Sequence, residues 1–233
     1  MIINREYTAA IILAAGSSTR MRSGITKQLM LINGTSVLAR SIAAFDSAAT
    51  INEIVVVAKE NEIADALEAA RTTSKPVRVV AGGKTRAESA RNGFDAISPT
   101  ARFVAIHDAA RCLILPEEID LVVSEAYLSG AAFAASRVTD TIKMVDANSR
   151  VTETIPRDML VAAQTPQVFD VEIYKRALSA TSVLGEAVTD DNMLVESIGV
   201  LPTYVETGKY NIKITTPDDV EYAEFILKKR EEV

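Results

Sequence analysis

AAIILAAGSSTRMRSGITKQ, residues Ala9 to Gln28, decides the fold and raises the functional question in one stretch. Its first seven residues, AAIILAA, are apolar without a break and end in a turn. A strand with one wet face would alternate in polarity, so this run predicts a strand covered on both faces. The chain then becomes abruptly small, polar and basic. The loop is poor in glycine and rich in serine, and it carries Arg20 and Lys27 seven residues apart. Two cations among small residues suggest a bound anion.

The same rhythm repeats outward from that strand. TSVLARSIAAFDSA (35–48) has helical spacing, with Val37, Leu38, Ser41, Ile42 and Phe45 on one face. EIVVVA (53–58) predicts a second buried strand, and NEIADALEAARTT (61–73) a helix with Asn61 as its N-cap. VRVVAG (77–82) and RFVAIHD (102–108) predict strands three and four, with the helix TRAESARNGFDAI (85–97) between them. PEEIDLVVSEAYLSG (116–130) predicts a helix that opens on Pro116 and closes on Gly130. Such βα alternation implies a mostly parallel sheet covered on both faces, an α/β, Rossmann-like three-layer sandwich. After residue 130 the rhythm changes. AAFAAS predicts one more buried strand, and DTIKMVD, ANS and RVTETIP predict a hairpin arm at about 138–158. A two-stranded ribbon is marginal alone, so a second subunit is its natural support. DVEIYKRALSAT (170–181) and PDDVEYAEFILKKR (217–230) are amphipathic helices, and one domain, 1–233, with a hairpin arm accounts for the whole.

Composition narrows the function. The chain has 233 residues, 48% of them apolar, and a formal charge of −6. That acidic balance argues against bulk binding to nucleic acid. No run reaches the length of a membrane span, and the opening MIINREYTAA lacks a signal-peptide apolar region. One cysteine, Cys112, excludes an internal disulfide and fits a reducing compartment, so a cytoplasmic location is expected. One histidine, His107, with one cysteine builds no thiolate–imidazole zinc site. Carboxylates remain available for a hard ion such as magnesium.

In an open parallel sheet, ligands bind beyond the carboxyl ends of the strands. Four polar loops are expected there: AAGSSTRMRSGITKQ, AGGKTRAES, HDAARC and YNIKITTPDD, with Lys213 in a short strand of the last. GGKT resembles a nucleoside-triphosphatase phosphate loop, but position 78, where that motif needs glycine, is Arg78. Gly16 is the only glycine at the first turn, so the three-glycine dinucleotide fingerprint is absent as well. What remains is a basic constellation of Arg20, Lys27, Arg111 and Lys213 around Asp108. His107 is expected to satisfy a backbone group, and Cys112 to be a packed thiol.

The Ala9–Gln28 loop resembles that of nucleotidyltransferases that activate sugars and alditols. With KQ at 27–28, GG…R…S at 82–89, HDAAR at 107–111, AQTPQVF at 163–169, TDD at 189–191 and NIKIT at 211–215, nearly the whole chain resembles the 2-C-methyl-D-erythritol 4-phosphate cytidylyltransferase family. The resemblance implies transfer of CMP from CTP to that polyol phosphate in the non-mevalonate isoprenoid pathway, with release of pyrophosphate and with Mg2+ on the triphosphate. It implies that Arg20 and Lys27 clamp the triphosphate and the transition state, and that Ala14, Ala15 and Gly16 offer backbone groups to the nucleotide. Gly82, Gly83 and Ser89 would read the cytosine, and Asp108 would contact ribose or metal, with Arg111 steadying it. Thr165, Thr189 and Lys213 would hold the acceptor. Arg157 would reach the acceptor phosphate in a neighbouring subunit, making a homodimer with shared active sites.

The chain departs from the family pattern at Cys112 and Thr26, where proline is usual, at Leu29, where an aromatic is common, and at Asn192 and Met193, where small residues are usual. The last pair is expected beside the acceptor pocket. Ribitol 5-phosphate is therefore the rival acceptor, although HDAAR favours the methylerythritol enzyme over the HDSVRP of ribitol 5-phosphate cytidylyltransferases. A noncatalytic nucleotide-binding module is the rival of another class; the presence of both Arg20 and Lys27 argues against it.

Overall fold

The computed structural model describes residues 6–16, 26–180 and 190–232. Arg20 and Thr189 lie outside the described residues. The chain begins with β1 (Thr8–Leu13), β2 (Leu31–Ile32), β3 (Thr35–Ser36), α1 (Val37–Ser47), β4 (Glu53–Ala58) and α2 (Ile63–Ala69). It continues with β5 (Val77–Ala81), α3 (Arg86–Asp95), β6 (Phe103–Asp108), α4 (Pro116–Ser129) and β7 (Ala131–Arg137). Then follow β8 (Ile142–Val145), β9 (Val151–Ile155), β10 (Val161–Asp170), α5 (Val171–Ala180), α6 (Asp191–Glu196), β11 (Thr203–Glu206) and α7 (Pro217–Glu231).

Among the described residues, seven strands form one sheet in the order β11-β7-β10-β6-β1-β4-β5. β1 lies between β4 and β6 and pairs parallel with both. All six of its residues are buried, as an unbroken apolar strand covered on two faces requires. Ile12 packs on the α1 and α4 side, with Leu38, Ile42 and Phe45, whereas Ile11 packs on the α3 and α5 side, with Ala90 and Tyr174. Burying each such side chain contributes about 1.5–3 kcal/mol. The expected face of α1 is buried: Val37, Leu38, Ser41, Ile42 and Phe45 all point inward. Ser36 caps α1 by accepting from the Ala39 N–H at 3.1 Å, and Gly130 closes α4 in the left-handed region at φ 81°.

Four expectations need correction or addition. Asn61 does not cap a long helix: the Glu62 N–H donates to the Lys59 carbonyl at 2.8 Å, making a 3-10 turn over Glu60–Glu62, and α2 starts only at Ile63. The segment around Lys213 belongs to no sheet; it is held through the Ile214 N–H, which donates to the Ala110 carbonyl at 2.8 Å. β10 is antiparallel to both β6 and β7, with a register shift between Ala163 and Gln167 around the cis Thr165–Pro166 bond. No strand was expected there, nor at β11, which adds a parallel edge beside β7. β8 and β9 do form the expected antiparallel hairpin, and it stands apart as its own two-stranded sheet.

Candidate active site

At the carboxyl ends of β1, β5 and β6 lies a cleft of about 380 Å³. Three of the four expected loops line it directly, through Ala15, Gly16, Lys27, Gly83, Ser89 and Asp108; the fourth contributes Lys213. Lys59, Lys84 and Arg86 line it too. Five cationic side chains thus face it against one carboxylate, Asp108, among the described residues. A local positive field overrides the acidic sign of the whole chain.

One wall is made by close backbone approach. Gly82 donates its N–H to the Ala58 carbonyl at 2.8 Å, and a Cβ on it would stand 2.4 Å from Ala15 Cβ. A Cβ on Gly83 would stand 2.2 Å from Glu88 Cβ. Ser89 Oγ accepts from the Gly83 N–H at 3.1 Å and donates to the Thr85 carbonyl at 2.9 Å, which pins the turn before α3. Ala14 is buried behind Ala15, its N–H donating to the Val57 carbonyl at 2.7 Å.

The other wall is made by charge. Lys213 Nζ donates to Asp108 Oδ2 at 2.6 Å, and Arg86 Nε donates to Asp108 Oδ1 at 3.4 Å. Burial alone would raise the Asp108 pKa, but Arg86 and Lys213 outweigh it and hold the carboxyl well below the usual range. Asp108 is therefore ionised at any working pH. Lys27 sits in a short 3-10 turn (Lys27–Leu29) and is largely buried, and Gln28 beside it donates from Nε2 to the Gly16 carbonyl at 3.4 Å.

Behind this wall runs a chain of hydrogen bonds. The Asp108 N–H donates to Thr165 Oγ1 at 3.0 Å, and that hydroxyl lies 3.1 Å from His107 Nδ1. His107 Nε2 lies 3.3 Å from the Arg111 carbonyl. Burial depresses the His107 pKa to about 3, so the ring is neutral, and Nε2 carries the proton that bonds the carbonyl. His107 has the structural role expected of it. Arg111 Nη1 donates to the Asn211 carbonyl at 2.9 Å, and Asn211 Nδ2 donates to the Thr165 carbonyl at 3.0 Å. Thr165 and Arg111 were expected to touch ligand. Neither lines the cleft: Thr165 spends its hydroxyl on Asp108 and His107, and Arg111 braces the segment that presents Lys213.

Arg157 does not line this chain's cleft either; its Nη1 donates to the Thr139 carbonyl at 3.1 Å at the base of the hairpin. Asn192 is buried on α6 and Met193 half-exposed, and neither lines the cleft. Cys112 is packed with Ile32, Leu113 and Ile214, and burial pushes its thiol up to about 11, so it is no nucleophile near neutral pH. Lys59, Lys84 and Arg86 face the cleft without being among the expected ligand-facing residues. Arg86 stands inside the GG…R…S pattern at 82–89, so its signal was present.

No group of three or more His, Cys, Asp or Glu that would hold a metal occurs among the described residues. Magnesium fits here in another way, because it is commonly held by one or two carboxylates together with substrate phosphates. Asp108 is the carboxylate in place for that. No helix among the described residues is long and apolar enough to cross a membrane.

A mostly parallel α/β sheet with a cation-lined cleft beside a tight glycine turn is suited to an anionic ligand. Comparison with known proteins narrows the class. A family model described as IspD, 2-C-methyl-D-erythritol 4-phosphate cytidylyltransferase, matches residues 8–229. The curated protein of that name from Caldanaerobacter subterraneus subsp. tengcongensis is 40% identical over 224 residues, covering 95% of this chain and 99% of its own length. The protein of the same name from Halalkalibacterium halodurans is 39% identical over 97% of this chain and 99% of its own. A crystal structure of 4-diphosphocytidyl-2C-methyl-D-erythritol synthase from Anaerococcus prevotii superposes with a TM-score of 0.88 at 28% identity, over 97% of this chain and 98% of that one. The Francisella tularensis structure superposes at 0.77 with 31% identity, over 94% and 99%. The chain belongs to the IspD family of 2-C-methyl-D-erythritol 4-phosphate cytidylyltransferases.

Proposed function

We propose that this cleft transfers CMP from CTP to 2-C-methyl-D-erythritol 4-phosphate, forming 4-diphosphocytidyl-2-C-methyl-D-erythritol. The observation that carries the reading is the convergence of Lys27, Arg86 and Lys213 with Asp108 beside the Gly82–Gly83 turn. A phosphate oxygen of the acceptor attacks the α-phosphorus of CTP, the bond to the β-phosphate oxygen breaks, and pyrophosphate leaves. The acceptor is a phosphate monoester with a second pKa of about 6, so it is largely dianionic at neutral pH. It needs no general base, and His107, buried and neutral with both ring nitrogens engaged, offers none.

The difficulty is repulsion between a dianion and a triphosphate. Lys27 and Lys213 answer it as fixed cations aimed where charge accumulates, and Arg20 belongs with them by its place in the family pattern. Asp108 orients Lys213 and would hold Mg2+ together with the CTP phosphates. Bound there, the ion supplies Lewis-acid polarisation of phosphoryl oxygens. Ala15, Gly16, Gly83 and Ser89, the small residues lining the cleft, would form the slot for the cytosine, with Gly82 behind them. Thr189 and Lys213 hold the acceptor phosphate.

We read the active form as a homodimer. Ile142, Met144, Val145 and Val151 on the hairpin are 37%, 51%, 60% and 61% exposed, and Met159 just after it is 80% exposed. An apolar two-stranded ribbon left bare in one chain finds cover in another. Arg157 at its base is then carried toward the partner's acceptor. A single buried cysteine fits the reducing cytoplasm.

The test is magnesium-dependent pyrophosphate release from CTP, with 2-C-methyl-D-erythritol 4-phosphate and ribitol 5-phosphate compared side by side. Strong preference for the first is expected. Preference for the second would reassign the acceptor, and no release with either would leave a binding module. Mixing Lys27→Ala with Arg157→Ala subunits recovers activity if sites are shared, and leaves none if each chain works alone.

A further inference from the structure

Arg86 opens α3 with its guanidinium spread between two carboxylates that play different parts. Nε donates to Asp108 Oδ1 at 3.4 Å, and Nη1 donates to Asp191 Oδ2 at 2.7 Å. Asp108 faces the cleft, whereas Asp191, the first residue of α6, is 1% exposed and does not line it. Asp191 is fixed from three sides. Its Oδ1 accepts from the Tyr174 hydroxyl at 2.7 Å, and its N–H donates to Gln167 Oε1 at 2.9 Å. Gln167 Nε2 in turn donates to Asp190 Oδ2 at 2.8 Å. The start of α6 is thereby locked to α5 and β10, and Arg86 links this locked corner to the wall of the cleft.

A carboxylate gripped by one ammonium remains free to turn about that contact. A second donor on its other oxygen fixes its plane, and a planar guanidinium whose far end is anchored is suited to the task. Lys213 grips Oδ2 of Asp108 and Arg86 grips Oδ1.

We propose that Arg86 and Asp191 are a positioning pair for cytidylyl transfer: Asp191, buried and out of reach of substrate, anchors the guanidinium that sets the plane of the Asp108 carboxylate. The inference rests on the function proposed above. Asp191 matters to the chemistry only through Arg86, which separates this role from a direct phosphate contact by Arg86.

The experiment compares steady-state kinetics with CTP and 2-C-methyl-D-erythritol 4-phosphate for the wild type, Arg86→Lys, Asp191→Asn, the double variant and Tyr174→Phe. Thermal melting of each is recorded alongside. Arg86→Lys keeps the charge but loses the fork, and Asp191→Asn keeps the shape but loses the anchor. Each is expected to lower kcat roughly tenfold, since small misplacements at a reacting centre act on kcat, with the KM for CTP nearly unchanged. The double variant loses no more than the worse single one, because both break one link. Tyr174→Phe removes another partner of the same carboxylate without touching Arg86, so it lowers the melting temperature and costs kcat much less than Asp191→Asn does. Wild-type kcat in Asp191→Asn, or losses that multiply in the double variant, would overturn the pairing and make Arg86 a separate substrate contact. Loss of kcat in Tyr174→Phe equal to that in Asp191→Asn would reduce the effect to packing. An inactive wild type would remove the proposed function and this inference together, whereas the other adverse outcomes remove the inference alone.

Discussion

The two walls of the cleft are built by different physics. The Gly82–Ser89 wall is a matter of space: three small residues meet so closely that a single added Cβ at Gly82 would fall 2.4 Å from Ala15 Cβ. The Asp108 wall is a matter of charge: a carboxylate is held between Lys213 and Arg86, and Arg86 is held in turn by buried Asp191. On the function proposed above, the first wall would shape what fits and the second would stabilise what forms. Substitutions in the two should therefore fail differently, with KM moving at the spatial wall and kcat at the charged one.

The largest effect is expected from Lys27→Ala. Losing one preorganised charge at a transition state costs about 3–4 kcal/mol, or roughly 10²–10³ in kcat. A melting temperature close to wild type would show that the fold survives, and wild-type turnover would remove Lys27 from the machinery.

A smaller effect concerns the support behind the charged wall. His107 has a folded pKa of about 3 against an unfolded value of about 6.5. Below pH 6.5 the unfolded chain binds a proton that the folded chain refuses, so stability present at neutral pH is lost as pH falls toward 3. The loss between pH 7 and pH 5 is about 2 kcal/mol for this one group. Asp108, with its folded pKa depressed, adds to the loss only below the ordinary carboxylate range. Urea unfolding at the two pH values measures this, and His107→Gln should flatten the slope between them.

The smallest of the three belongs to the spatial wall. Gly82→Ala forces Ala15 or Ser89 aside and should raise the KM for CTP about tenfold, roughly 1.4 kcal/mol, while kcat changes less. An equal fall in kcat with KM unchanged would mean that the glycine turn also aligns the reacting phosphates, and the division between the walls would blur.

The spatial wall was legible in the sequence and the charged one only in part, for a reason of distance. AAG at 14–16 follows the buried strand β1 and GG at 82–83 follows the edge strand β5, and small residues at strand ends announce a close approach on their own. The partners of the charged wall are far apart in the chain: Lys213 and Asp108 are 105 residues apart, as are Arg86 and Asp191. Asp108 and Lys213 stand in recognisable motifs, but the second ion pair joins Arg86 to a six-residue helix too short to show periodicity. Pro166 and the polar residues around it argue against a strand at β10, and the chain accommodates them with a register shift. NIKIT alternates like a strand, yet the segment is fastened by Asn211, Arg111 and one backbone bond to Ala110 instead of by a ladder. The parallel strands β1, β4 and β6 fell where expected because their nearly continuous apolar runs are buried on both faces, whereas β5, the edge strand, carries Arg78 and is only partly buried.

The most direct measurement is phosphorus NMR of the wild type incubated with CTP, 2-C-methyl-D-erythritol 4-phosphate and Mg2+. Cytidylyl transfer predicts a new pair of coupled diphosphate resonances rising in step with free pyrophosphate, as the acceptor monoester signal falls. CDP and orthophosphate appearing with the acceptor unchanged, or no change in the spectrum, would contradict attack at the α-phosphorus.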